Sequence, residues 1–412
     1  MRARAGYPSK SLLAILLLAV GIAPLLNYGL SAISDLVITD LGISEAQFGL
    51  LATVCFGAAA IGNAAFGRFT DHQPDTRLMV LIFALAALAL GLAAIPGGYV
   101  LLLIASGLAG VAQSFPNGVT NRVLAQRVPE TQRIGWIGIK QSGVQVSQLV
   151  ASIGFPALAA WIGWHGANAV GAVIAMLVGV LAVRVIKRVP FLPELPLTDQ
   201  SRSKAPAQDR HRAPSIKFLI WALAAFGFVN GMGVQATNVY LALFAVREFD
   251  FSLVMGGMTA AAAGAIGVAA RVGWGTMMSK GMAAPPLLLT LAVMALAGAG
   301  TFYLAGSTGS AALLWLAVAL HGASALGVSV VLMAAVVRSV PPGSMGMASG
   351  MVGAGQFGGF TIGPLAMGAL VGSPGGFSRG WSAVGGVYLL CVLLAIYLLW
   401  RRNRRNNAAA AS

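Results

Sequence analysis

The chain contains about twelve apolar stretches of some 20 residues, each bounded by charges, Pro or Gly. A helix of that length spans the roughly 30 Å hydrocarbon core of a bilayer, and this constrains the fold more than any other feature. The stretches fall near 12–35, 45–69, 77–96, 99–125, 134–160, 164–186, 217–245, 251–277, 284–305, 310–337, 345–371 and 381–400, called spans 1 to 12. Only 9% of the 412 residues are charged, against about 25% in soluble domains, which excludes a water-soluble fold. The first run, from Ser11 to about Leu36, is longer than a signal-peptide core and lacks a cleavage site, so it is expected to stay as a spanning helix.

A net charge of +15 would suggest nucleic-acid binding in a soluble protein, but here the charges lie between apolar runs, and no nucleic-acid partner is expected. Arg2, Arg4, Lys10, Arg68, Arg77, Arg127, Arg133, Arg184, Lys187, Arg188, Lys280, Arg338 and the Arg401, Arg402, Arg404, Arg405 tail fall on one side of the spans. Arg247 and Arg379 fall on the other, with Asp35, Asp40, Glu45, Glu248 and Asp250. Lys and Arg stay cytoplasmic in short loops, so both termini are expected in the cytoplasm of an inner-membrane protein. Cys55 and Cys391 sit inside apolar runs, so no disulfide or thiolate metal site is expected, and no cofactor or metal.

One long polar stretch, rich in Pro, Ser and charge, divides the chain into an N-terminal six-helix bundle (1–188), a cytoplasmic linker (189–216) and a C-terminal six-helix bundle (217–412). The two parts repeat. An offset of 208 carries Gly49 to Gly257, Gly67 to Gly275, Pro156 to Pro364 and Asn27 to Gln235, so one shift serves spans 2 and 8 together with spans 5 and 11.

The loop GRFTDHQPDTR, Gly67 to Arg77, resembles the G-x-x-x-D-R-x-G-R-[RK] loop of the major facilitator superfamily, with Gly67, Asp71 and Arg77 in place and His72, Pro74 and Asp75 as departures. The later copy keeps Gly275 but has Ser279 where the acid would stand, and span 4 has Ser106 where many members carry an embedded Arg. Gly154 with Pro156 in span 5 is similar to the family's Gly-Pro element. The run from Asn121 to Gln148 looks like bacterial permeases near the cyanate-permease-like and organic-anion members. The resemblance implies an all-α membrane protein of twelve transmembrane helices in two pseudo-symmetric bundles, a transporter rather than an enzyme. It moves a small solute by alternating access, and a monomer is expected.

A charge inside a span costs about 2.5–3.5 kcal/mol on insertion scales and therefore needs a reason. Lys140 in span 5 and Arg271 in span 8 are the two cases. Spans 5 and 8 face each other in the resembled fold, which would set two cations on opposite walls of a cavity and call for an anion between them. The resemblance to oxalate/formate and monocarboxylate porters points to Arg271 in particular. Snorkelling to the interface or to lipid phosphate is the alternative for both.

Gln141, Gln145 and Gln148 share a broad helical face with Lys140. Spans 1, 4, 7 and 10 line the cavity in the family. Asn27, Tyr28, Gln113, Asn117, Gln235, Asn238 and Tyr240 are therefore cavity candidates, as is His321, which is read as a packing donor, a ligand contact or a titrating group. No acidic residue falls at a span centre, so carboxylate-based proton coupling has no carrier.

The leading expectation is transport of a small organic anion, with sugar or drug efflux by a proton antiporter as the alternative. Drug efflux should show an embedded acid and a full glycine series in span 5, which are absent. An enzyme would need convergent His, Asp or Cys residues, and His72, His165, His211 and His321 are scattered.

Gating is carried over to Gly67, Asp71, Arg77 and Arg127. Asp71 would sit at the cytoplasmic N-terminus of span 11, where a carboxylate gains about 0.3–1 kcal/mol, only while that side is shut, with Arg77 and Arg127 orienting it. Asp71→Asn is expected to shift the population towards the inward-open state. Unchanged accessibility of cytoplasmic-side cysteine probes would refute this.

Overall fold

The computed structural model of the chain describes residues 10–66, 69, 72–190, 213–340 and 345–410. Among these, every regular element is helical. Span 1 is built from α1 (Lys10–Gly21), α2 (Leu25–Ala32) and α3 (Ser34–Leu41), span 2 from α4 (Glu45–Ala65) and span 3 from α5 (Asp75–Ala93). Span 4 comprises α6 (Gly98–Ala112) and α7 (Pro116–Arg127). Spans 5 and 6 share α8 (Glu130–Gln141) and the long α9 (Gly143–Arg188). The second half runs through α10 (Ala213–Phe249), α11 (Leu253–Ser279), α12 (Ala284–Thr308), α13 (Ala311–Ala323), α14 (Val328–Ser339), α15 (Met345–Val371) and α16 (Gly376–Ala410). Span 7 starts at Ala213, inside the stretch expected as linker; residues 191–212 lie outside the described residues.

Among the described residues, nine helical stretches are long and apolar enough to cross a membrane, and the bent α1–α2 pair makes a tenth. One of the nine, Gly135–Arg188, is 54 residues long and holds two crossings, because Gly163 adopts φ 71° and ψ 168° and turns the chain back. The glycine-rich α15 is the remaining crossing. Its 27 residues are long enough for a span, although its small side chains dilute its hydropathy. Side chains such as Trp161, Val100 and Val272 stand exposed around the bundle, where only lipid gives them an apolar surrounding.

Several spans break where the chemistry demands it. Pro24 has no N–H to donate, and α1 and α2 meet at 60°. Span 4 is interrupted at Gln113–Phe115, ahead of Pro116 in the first turn of α7. Span 10 passes through a 3₁₀ turn, Ala325–Gly327, between α13 and α14.

The two halves meet through paired backbone approaches. A Cβ on Gly49 in span 2 would lie 2.4 Å from Pro364 O in span 11, and one on Gly257 in span 8 would lie 2.2 Å from Ser152 O and 2.7 Å from Pro156 Cγ in span 5. Gly49 and Gly257, and Pro156 and Pro364, are pairs that the 208-residue offset relates, so each glycine–proline contact is the pseudo-symmetric copy of the other. Further along the 2–11 seam, Thr53 Oγ1 donates to Thr361 O (2.7 Å), and the Phe56 and Phe360 rings meet at 5.4 Å.

Gly359 is different, because its nearest neighbour, Phe228 O at 2.0 Å from a built Cβ, belongs to the same half. Gly359→Val should lower the melting temperature in detergent. Gly49→Val should leave each half folded and open the 2–11 seam, seen as faster labelling of Thr53→Cys. Equal labelling in the two glycine variants would contradict this division.

Candidate functional site

A layer of polar side chains crosses the seam at mid-depth. Gln148 Nε2, from span 5, donates to Ala260 O (3.3 Å) and to Asn238 Oδ1 (3.4 Å), in spans 8 and 7. A main-chain carbonyl can only accept, so the Gln148 amide is oriented by it. That in turn fixes the Asn238 oxygen as an acceptor. His321 Nε2 lies 3.1 Å from the same oxygen and is therefore the protonated nitrogen of its ring. Of the three readings of His321, the geometry displays the packing donor, 2% exposed beneath Asn238.

The break in span 10 leaves backbone carbonyls without helical partners, and side chains of neighbouring helices take them up. Trp274 Nε1 donates to Ala323 O (2.8 Å), Asn230 Nδ2 to Ala325 O (3.3 Å) and Arg271 Nε to Leu326 O (3.1 Å). Arg271 also reaches across the seam, where Nη1 donates to Gln141 O (3.3 Å) at the end of α8. It stays partly exposed, and no carboxylate pairs with it among the described residues. The Tyr28 hydroxyl lies beside the Gln235 amide and within electrostatic reach of Arg271.

Lys140 is placed otherwise. Its side chain is fully buried and its Nζ donates to Thr120 Oγ1 (2.6 Å), whose own hydroxyl donates to Pro116 O (2.5 Å). The structure thus turns Lys140 into the N-terminal half, where it joins spans 4 and 5. The expected face-to-face pair of cations is not formed, because helical periodicity placed Lys140 on a broad face whose buried edge packs against span 4.

The remaining candidates divide in the same way. Gln141 Nε2 donates to Asn117 Oδ1 (3.1 Å) and Gln113 Nε2 to Cys55 Sγ (3.2 Å), both within the N-terminal half. Asn27 Nδ2, Gln145 Oε1, Gln148 Oε1 and Gln235 Oε1 are buried and have no hydrogen-bond partner among the described residues. Gln145 and Gln148 pack against span 8 at Gly264 and Gly267, up to two turns along from Arg271. The seam is therefore occupied by Arg271, Tyr28, Asn27, Gln145, Gln148, Gln235 and Asn238, with His321 behind Asn238 in the C-terminal half.

The acidic rim is shut. Arg247 Nε bonds Asp35 Oδ1 (2.8 Å) and Nη1 bonds Glu45 Oε1 (2.6 Å), while the Tyr240 hydroxyl donates to Glu45 O (2.5 Å). The three charged side chains keep 21–33% of their surface exposed, so each pair contributes about 1 kcal/mol or less. A latch this weak can be released by small changes at the seam.

At the basic rim, sequence reasoning missed the main ion pair. Asp75 binds Arg122 Nε (2.8 Å) and Arg127 Nη2 (3.0 Å), and Arg127 Nη1 also donates to Ile186 O (2.5 Å) and Val189 O (2.9 Å). Spans 3, 4 and 6 of one half are clamped together in this way. Arg77 bonds Gln73 Oε1 (2.9 Å), while Gly67 and Asp71 lie outside the described residues. Arg127 binds Asp75, and its expected contact with Asp71 lies outside the described residues. The available signal was charge matching at equal depth, since Asp75 opens span 3 where Arg122 and Arg127 close span 4. A recess of about 710 Å³ opens beside this clamp, lined by His72, Asp75, Arg122 and Lys187 among others, well away from the seam.

The Asp75 and Arg127 side chains are only 6% and 5% exposed, so neutralising the carboxylate removes a countercharge from a buried cation. Asp75→Asn should cost on the order of 3 kcal/mol in thermal unfolding. Arg122→Gln, at a partner 23% exposed, should cost clearly less, and an equal loss for the two would refute the clamp.

Comparison with known proteins agrees with this architecture. A bacterial homolog of the human lysosomal transporter Spinster, in an inward-facing and occupied conformation, superposes with a TM-score of 0.75 at 16% identity over 95% of this chain and 96% of that one. A D-xylose-proton symporter does so with 0.76 at 15% identity over 93% and 96%, and the nucleoside transporter NupG with 0.72 at 14% over 95% and 99%. A Haemophilus influenzae protein, provisionally named as a metabolite transport protein, is 30% identical over 155 residues. That match covers 33% of this chain and 37% of the relative's length. The profile of the Major Facilitator Superfamily matches residues 16–359, and the chain belongs to that family of membrane transporters.

Proposed function

We propose that this transporter moves a small organic anion across a bacterial inner membrane, with Arg271 as the anchor for its carboxylate and both termini in the cytoplasm. The observation that carries the reading is Arg271 itself. It is a guanidinium at the seam whose hydrogen bonds go to the carbonyls of Leu326 and Gln141, with no carboxylate as countercharge among the described residues. A carbonyl dipole offsets a cation less than a carboxylate does, and an anion entering the seam gains a charge-assisted, potentially bidentate partner.

The bond to Gln141 O also crosses between the halves, so an anion that competes for Arg271 acts directly on how they are held together. The shut acidic rim is then the outer gate, by the excess of Lys and Arg on the opposite side. Lys140 acts at one remove, holding span 5 against span 4 through Thr120. A second reading, a neutral sugar, is favoured by the unpartnered amide oxygens of Gln145, Gln148 and Gln235.

A ligand at about 100 times its Kd adds about 2.7 kcal/mol to apparent stability. Small carboxylates should raise the melting temperature of the purified protein, and Arg271→Gln should abolish that rise while leaving the protein folded. Lys140→Gln should lower the melting temperature and keep the ligand-induced increment. Retention of the increment in Arg271→Gln would remove the anion reading.

A further inference from the structure

We propose that the solute carries hydroxyl groups as well as a carboxylate, so that it is a hydroxylated acid rather than a plain alkyl one. This inference rests on the anion reading for the carboxylate end and on a separate set of atoms for the other. Those atoms are the amide oxygens of Gln145, Gln148 and Gln235, from spans 5 and 7, each residue no more than 3% exposed and each oxygen lacking a donor among the described residues.

A buried acceptor without a donor is costly, and three along one seam invite a ligand rich in O–H groups. The orientation of Gln148 is fixed, because its NH₂ is spent on Ala260 O and on Asn238 Oδ1, so its oxygen is the atom left over. Gln145 and Gln148 pack against the glycine face of span 8 at Gly264 and Gly267, and Arg271 follows on the same helix. Carboxylate and hydroxyl contacts can therefore be made along one line.

An ammonium group could also donate to these oxygens. It would bring a second positive charge beside Arg271, and the described carboxylates of Asp35, Asp40, Glu45, Asp75, Glu248 and Asp250 stand at span ends, not in this layer. Hydroxyl donors carry no such cost. A plain alkyl acid of the same length would leave the three oxygens unpartnered.

The test uses the full-length protein in detergent and calorimetric or thermal-shift titration with two matched sets: propionate, glycerate and glycerol, and hexanoate, gluconate and sorbitol. In at least one set the hydroxylated acid should bind about tenfold or more tightly than its deoxy counterpart, as expected when one or more buried acceptors gain donors. Gln148→Leu or Gln145→Leu should bring that ratio towards one. Should either variant fail to fold, Gln235→Leu provides the same comparison from the opposite half.

Equal binding of hydroxylated and deoxy acids in both sets would overturn the hydroxyl requirement and leave the anion reading standing. Binding of the polyol as tight as that of the acid would overturn the carboxylate anchor instead. No binding by any acid in either set would overturn both.

Discussion

Two backbone approaches across the seam, Gly49 against Pro364 and Gly257 against Ser152 and Pro156, are the constraint on which the rest of the structure depends. In lipid the hydrophobic effect does not drive helices together, and close packing of small residues does much of that work. A side chain at either glycine would separate the halves and, with them, the residues that meet between them. Because the two approaches are copies of one another, the seam is balanced about its centre, and the polar layer lies there.

The same region is where helices are broken, and the breaks are what make a polar layer affordable. Pro24 bends span 1 just before Asn27 and Tyr28, and the 3₁₀ turn of span 10 follows His321 closely. Each break frees backbone groups that hydrocarbon cannot satisfy, so Asn230, Arg271 and Trp274 are recruited to the freed carbonyls. Arg271 thereby serves structure and, in the proposed function, solute: its fork is held by two carbonyls and still faces the seam.

The charges sort by what they must do. At the basic rim the Asp75 clamp is buried, joins three spans of one half and has no cause to break during transport. At the acidic rim Arg247 ties the halves through exposed, individually weak pairs to Asp35 and Glu45. Strong pairing within a half and weak pairing between halves is the distribution that a rocking motion of two rigid bundles requires.

Much of this was legible in the chain itself. Span length and the scarcity of charge sufficed for a twelve-helix membrane protein, and the 208-residue offset marked Gly49, Gly257, Pro156 and Pro364 before any contact between them was known. Arg271 was legible because a charge inside an apolar run must be explained. What tertiary structure alone decided is direction: Lys140, on the same helical face as Gln145 and Gln148, turns to Thr120 while they turn to the seam. Asp75, one acid among several loop charges, became the partner of Arg127. Periodicity places a residue on a face of its own helix, but which neighbour lies against that face is set by how twelve helices pack together, and no local pattern encodes it.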